Sequence, residues 1–353
     1  MSGSSAPRNQ KPGSSEPHPA AESSPRDPLR HLPDPMDREI SAPAPATRAA
    51  RLTADADGWV TARPPRLAEV LLRIVRFPLL VLEHRDLIRT SVRRELQARF
   101  TGTVLGWFWP LVQPIALFAV YYFIFTKLLG VKFPELPESQ KQAFGIFMFV
   151  GIMVWSAFAE SVLRGCTVIV ENGNLIKKLA FPSELLPLNV VLVSLVTMCF
   201  AVFVFLVASL LTPAWIPPDA NVLWLPVLLV LQLFFSYGIA LFLSALQVFL
   251  RDTAQVMGVV VTIWMFLTPI FWAPEIIPDR EKTIGPLMGW VEANPMFSLI
   301  YAWRAALMSS EPAMVFTYDP ALRIAIFAAW AFGVFALGYG FFILCQRRFA
   351  DEV

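Results

Sequence analysis

Residues Arg93–Pro114 read RRELQARFTGTVLGWFWPLVQP, and their change of character halfway along decides the fold. Arg93, Arg94 and Arg99 lie on a basic helical segment that runs through a small hinge, Thr101-Gly102-Thr103. Beyond it come Leu105-Gly106-Trp107-Phe108-Trp109-Pro110, and the chain stays apolar to Phe125. Cations favour the anionic cytoplasmic leaflet, and Trp settles at the headgroup level, where its ring and its N–H are both satisfied. The stretch therefore reads as a positively charged interfacial helix that meets a membrane and dives into it. Arg93, Arg94, Arg99, Phe100, Trp107 and Trp109 form this interface and entrance, on the cytoplasmic side.

The composition agrees. Of 353 residues 56% are hydrophobic and 16% charged, with 29 Phe and 11 Trp. A globular surface needs roughly 25% charged residues, so this chain is expected to be an all-α integral membrane protein. Cys166, Cys199 and Cys345 are widely spaced and set in or beside apolar runs, which fits small buried hydrophobes, not a disulfide or zinc site. His18, His31 and His84 all precede the membrane part, so no metal site is expected in the bilayer. The first residues carry no apolar core ahead of a small-residue site, and a cleaved leader is not expected. Residues 1–63 are rich in Pro, Ser and Ala, poor in large apolar residues, and read as a disordered cytoplasmic tail, with a docking peptide as the alternative.

Residues 64–106 read as amphipathic interfacial helices. Arg66, Glu69, Arg73 and Arg76 oppose Leu67, Val70, Leu71, Ile74 and Val75, with Pro78 expected to break the segment; a second helix covers His84–Phe100. Residues 107–349 read as a six-helix transmembrane domain, its spans Trp107–Leu129, Phe144–Leu163, Leu185–Leu211, Val222–Phe249, Ala254–Trp272 and Leu322–Cys345. Lys and Arg concentrate in the N-terminal region, Arg164–Glu184, the Arg251-Asp252 turn and the tail from Gln346, which predicts both termini in the cytoplasm. The opposite segments carry Glu135, Glu138, Asp219, Glu275, Asp279, Glu292 and Glu311. Between spans five and six, Ile284–Val291 and Pro295–Met308 are apolar but too short to cross. They predict two short re-entrant outer helices, or helices lying on the surface.

The inner loop after the second span, Asn172-Gly173-Asn174-Leu175-Ile176-Lys177-Lys178-Leu179-Ala180-Phe181-Pro182, can form a short helix with an apolar ridge of Leu175, Ile176, Leu179 and Phe181. Such a helix suits a helix-in-groove contact or a plain interfacial connector. Glu160 and Arg164 stand four apart at the inner end of the second span and read as a structural ion pair. Aromatic residues such as Tyr121, Tyr122, Trp155 and Phe158 belong to the lipid belt or line a conduit for sugars. The spans hold no buried acid relay of the kind an ion-coupled transporter needs. No phosphate loop, His-Glu-x-x-His helix or nucleophile elbow occurs in the sequence.

Taken together, Arg94-Glu95-Leu96, Arg99-Phe100, Leu105-Gly106, Trp109-Pro110-Leu111 and Pro114 resemble the first-span signature of ABC-2 type permeases, in particular the branch that exports O-antigen, capsule or teichoic acid. Phe149-Val150-Gly151 with Trp155, the Asn172–Pro182 loop, Arg251-Asp252, and Asn294-Pro295 with Arg304 follow in the same order. Phe100 stands where Tyr is frequent and Gln113 where Asn is. The resemblance implies the membrane subunit of an exporter of polyprenyl-linked polysaccharide, in a bacterial plasma (inner) membrane. It implies a homodimer bound to two copies of a cytoplasmic ABC ATPase, in contact with membrane lipids and with no nucleic acid. The chain itself would be no enzyme and hold no cofactor, since ATP and magnesium would sit on the ATPase subunit. Asn174, Leu175, Ile176, Lys177, Lys178, Leu179 and Phe181 would form the coupling helix to it, and Asn294, Pro295 and Arg304 would belong to an outer gate. Two alternatives stay open: an ABC-2 exporter of a drug or lipid, and a membrane-embedded enzyme acting on polyprenyl-phosphate sugars. The latter lacks any Asp-x-Asp or similar acid cluster.

Overall fold

The structure, a computed structural model, describes residues 53–54, 60–61, 67–100, 102, 108–130, 144–178, 182–211, 220–274, 277, 285–308 and 318–352. Trp107, Leu179 and Phe181 lie outside the described residues, as do the side chains of Phe100 and Lys178. The chain divides into two units, Met1–Arg63 and Pro64–Val353. In the first, Thr53–Ala54 (β1) and Val60–Thr61 (β2) pair antiparallel, Thr53 opposite Thr61.

The second unit is helical. In chain order it comprises α1 (Leu67–Glu83), α2 (Arg85–Phe100), α3 (Trp109–Tyr121) with a π-helical continuation Tyr122–Leu128, α4 (Phe144–Glu171), α5 (Gly173–Lys178) and α6 (Leu185–Leu211). A 3₁₀ turn, Ala220–Trp224, leads into α7 (Leu225–Phe249), followed by α8 (Thr253–Leu267), α9 (Gly285–Ala293), α10 (Pro295–Leu307) and α11 (Pro320–Cys345). The chain closes with a 3₁₀ turn, Gln346–Arg348, and α12 (Phe349–Glu352).

Four segments among the described residues are long and apolar enough to cross a membrane: Phe144–Glu171, Leu185–Val207, Ala220–Phe249 and Pro320–Arg348. The fifth predicted span is shorter than expected, its apolar helix running only from Thr253 to Leu267. For α8 the cause is local. Pro269 disfavours helical geometry at the residue before it, and Thr268 is extended, with φ −91° and ψ 137°. A helix of 15 residues rises only about 22 Å, against a hydrocarbon core of about 30 Å.

α4, α6, α7 and α11 form the centre of the bundle. α7 and α11 meet at Gly238 and Gly338, where the backbones touch. A Cβ on Gly238 would lie 2.6 Å from Cα of Phe335, and one on Gly338 would overlap the Gly238 carbonyl. Small residues at a helix crossing permit this approach, and in apolar surroundings close packing is what holds helices together. α4 and α6 are tied by Phe149 stacked parallel on Phe205, centroids 6.2 Å apart.

α1 departs from the predicted two-faced helix. It continues through Pro78 to Glu83, and its apolar residues fall on two adjoining stripes. Val70 and Phe77 are buried against the bundle, Phe77 among Tyr237, Phe335 and Tyr339 at 5.2–5.7 Å. Leu71, Val75, Leu79 and Leu82 are exposed, and Glu69, Arg73 and Arg76 occupy the remaining third. The missing N–H of Pro78 removes one helical hydrogen bond, while the wedge of Phe77 keeps the helix seated. Of the cysteines, Cys166 is buried, Cys345 half-buried and Cys199 exposed, so the expectation of burial fails at Cys199.

Candidate functional site

Polar contacts concentrate at the two ends of α4. At the first end, Asn294 caps α10, its Oδ1 accepting from the Met296 N–H at 3.0 Å, with Pro295 preset for the first helical turn. The same Oδ1 accepts from Trp264 Nε1 at 2.9 Å, and Asn294 Nδ2 donates to Thr268 Oγ1 at 2.9 Å. Arg304, one turn from the end of α10, is only 3% exposed. Its guanidinium donates to the carbonyls of Phe147 (3.1 Å), Pro269 (2.7 Å) and Ile270 (3.1 Å) and lies 3.3 Å over the Phe147 ring. Gly151 makes room for it, since a Cβ there would sit 2.7 Å from Nη2. Two of the three residues predicted for an outer gate, Asn294 and Arg304, thus converge on one segment, Thr268–Ile270, where α8 stops, while Pro295 only opens α10.

The two short helices between α8 and α11 are unlike each other. α10 is buried from Met296 to Leu307, although it is only 13 residues long. α9 buries Met288 alone, and Leu287 and Trp290 are exposed, so it lies on the surface.

At the other end of α4, Glu160 and Arg164 meet as the sequence predicts, at 3.5 Å, but each has a nearer partner on α2. Arg99 Nη2 lies 2.6 Å from Glu160 Oε1, and Arg164 pairs with Glu95. Two Glu-x-x-x-Arg steps, Glu95–Arg99 and Glu160–Arg164, face each other in opposite directions and exchange partners. Glu95 was not among the predicted site residues, although the repeat of that spacing was there to be read. These side chains are 21–40% exposed, so each pair contributes roughly 0–1 kcal/mol to stability while setting the register of α2 on α4.

Arg93 and Arg94 are exposed, as are Phe108 and Trp109 at the start of α3. Tyr121 and Tyr122 are half-buried, Tyr122 stacking on Phe118 at 5.8 Å. Trp155 and Phe158 line neither a lipid-facing surface nor a conduit within the chain. They are 4% and 0% exposed and pack edge-on against Trp264, at 5.9 and 5.3 Å, so aromatic content alone misplaced two core residues.

α5 presents Asn174 and Lys177 outward, whereas Leu175 and Ile176 are half-buried and rest on the protein's own core. The predicted apolar ridge therefore turns inward over its described part. α12 packs on α5, with Phe349 buried. Gln346 fastens the end of the same loop, donating to Ser183 Oγ (3.0 Å) and Glu184 Oε2 (2.9 Å) and accepting from Arg73 of α1 at 3.4 Å.

With this geometry in place, residues 86–308, from the start of α2 to the end of α10, match the family described as ABC-2 type transporter. The chain belongs to that family. Its ABC-2 region contains both ends of α4, the α5 loop and the Arg304 clamp, and the apolar helices make the protein a multi-pass membrane protein. The chain is similar to an O-antigen export system permease protein RfbA of Myxococcus xanthus, 30% identical over 69% of this chain and 89% of the relative. It is also similar to proteins of the same name from Klebsiella pneumoniae. One is 26% identical over 75% of this chain and 94% of the relative, another 27% identical over 64% and 81%.

Proposed function

We propose that this ABC-2 chain is the membrane-spanning subunit of an ATP-driven exporter that moves a lipid-linked polysaccharide of the O-antigen type outward across a bacterial inner membrane. The observation that carries this reading is similarity to RfbA export permeases along most of both chains. Hydrolysis of ATP, with its magnesium, falls to a separate ATPase subunit, in keeping with an ABC-2 membrane domain and the absence of a phosphate loop from this sequence. Both termini lie in the cytoplasm and the chain crosses six times. In support, α3 with its π-helical turn covers residues 109–128, a rise of about 30 Å. The working unit is a homodimer with two ATPase copies. Its seam falls where one copy leaves apolar helix surface uncovered, at Ile115, Val120 and Phe123 of α3 and Val259, Ile263 and Phe266 of α8.

Closure of the ATPase pair would press on Asn174 and Lys177, the outward residues of α5. α4 runs unbroken for 28 residues from α5 to the Arg304 clamp and would carry that displacement along the span. Purification of the chain from its native membranes is expected to bring down a phosphate-loop ATPase. Asn174→Arg with Lys177→Glu should separate the two and abolish export while the chain remains folded. Full ATPase retention and full export in that double variant would overturn the reading.

A further inference from the structure

A cleft of about 340 Å³ opens between α3, α4 and α6, with the end of α2 at its mouth. Arg99, Glu160 and Ser194 stand at one end of it, and Phe149, Leu117 and Ala201 line the other. Phe149 and Glu160 are 11 residues apart on α4, so the polar-to-apolar gradient extends over about 16 Å. Counted from Phe144, the first residue of α4, a hydrocarbon core of about 30 Å would end near residue 164, which places Glu160 about 6 Å inside the boundary between chains and headgroups. α8 contributes no wall.

We infer that this cleft binds a zwitterionic membrane phospholipid, its phosphate at Arg99, its amine at Glu160 and one acyl chain along Leu117 and Phe149. Charge decides the class. Arg99 is matched by Glu160 and Arg164 by Glu95, so the polar end is net neutral. An acidic lipid or a polyprenyl phosphate would bring negative charge with no counterpart, whereas a phosphate–amine headgroup is itself a dipole that complements the pair. Arg99 Nη2 is buried and 2.6 Å from Glu160 Oε1, so a headgroup phosphate would take the place of this carboxylate as its partner. The pair is 21% and 29% exposed, so a headgroup reaching it from the cleft offers each charge a replacement partner as the pair opens. The inference concerns lipid occupancy and stands apart from the identity of any exported cargo.

The test is native mass spectrometry of the full chain, purified in mild detergent and equilibrated with phosphatidylethanolamine, phosphatidylglycerol or a polyprenyl phosphate. Phosphatidylethanolamine should be retained at least tenfold better than either of the others, a difference of about 1.4 kcal/mol. Leu117→Trp, which fills the apolar end, should remove that lipid, whereas Leu337→Trp, on the exposed surface of α11, should not. Glu160→Gln should reverse the headgroup preference toward phosphatidylglycerol by freeing the Arg99 charge; a purely structural role for Glu160 would not move it. Equal retention of phosphatidylglycerol by the unaltered chain, displacement by the polyprenyl phosphate, or no retained lipid would overturn the inference. If Glu160→Gln fails to fold, the headgroup ranking of the unaltered chain and the Leu117→Trp result decide it alone.

Discussion

Arg304 and Arg99 are both held against α4, one near each end, and they are held by different chemistry. Arg304 is almost fully buried and donates to three main-chain carbonyls, groups that cannot swing away. Arg99 is partly exposed and faces a carboxylate on a flexible side chain, in a set of four charges with interchangeable partners. The contrast teaches that one rod can be pinned at one end and adjustable at the other. Main-chain acceptors fix geometry, while exchanged ion pairs fix a register that a modest force can reset.

The largest effect expected from breaking this contrast is at Arg304→Ala. It leaves the Phe147, Pro269 and Ile270 carbonyls without that donor in a buried site, and should cost about 3 kcal/mol or more, read as a fall in Tm of the detergent-solubilised protein. A Tm within a degree or two of the parent would erase the distinction between the two arginines. Gly151→Ala pushes on the same guanidinium without removing it and should cost about 1–3 kcal/mol in the same assay. Asn294→Ala removes the cap of α10 together with its links to Trp264 and Thr268, for about 1–2 kcal/mol. The smallest change in stability, under about 1 kcal/mol, is expected for the exchange Arg99→Glu with Glu160→Arg. Either substitution alone should lower activity more than the exchange does, a pattern a double-mutant cycle can measure. Raising salt should weaken the contribution of the Arg99 pair and leave that of Arg304 unchanged.

Long uniform signals were legible in the sequence: α4, α6, α7 and α11 are apolar runs of span length, and Asn294-Pro295 announced a helix start. The burial of α10 was harder to read, because PMFSLIYAWRAAL carries an arginine and a tyrosine and is too short to look like core. Trp155 and Phe158 were assigned to the lipid belt or a conduit because composition does not tell which face of an apolar helix meets another helix. The early end of α8 was there to be seen at Pro269 and was hidden by the apolar residues on either side. Leu175 and Ile176 form a ridge by spacing in any case; only the packing tells that it turns inward. Glu95 was lost among neighbouring arginines: the repeated Glu-x-x-x-Arg spacing was legible, but not that the two steps exchange partners across helices.

The contact of α7 and α11 at Gly238 and Gly338 has a mechanical consequence. At that crossing the helices cannot slide or roll without collision, because no side chain lies between the two backbones there to yield. Ring contacts such as Phe234–Phe335 and Phe235–Phe327 hold them on either side. They behave as one plank. Any change of shape in this domain must be taken up by helices that keep side chains between them, and the plank is the reference against which those helices move.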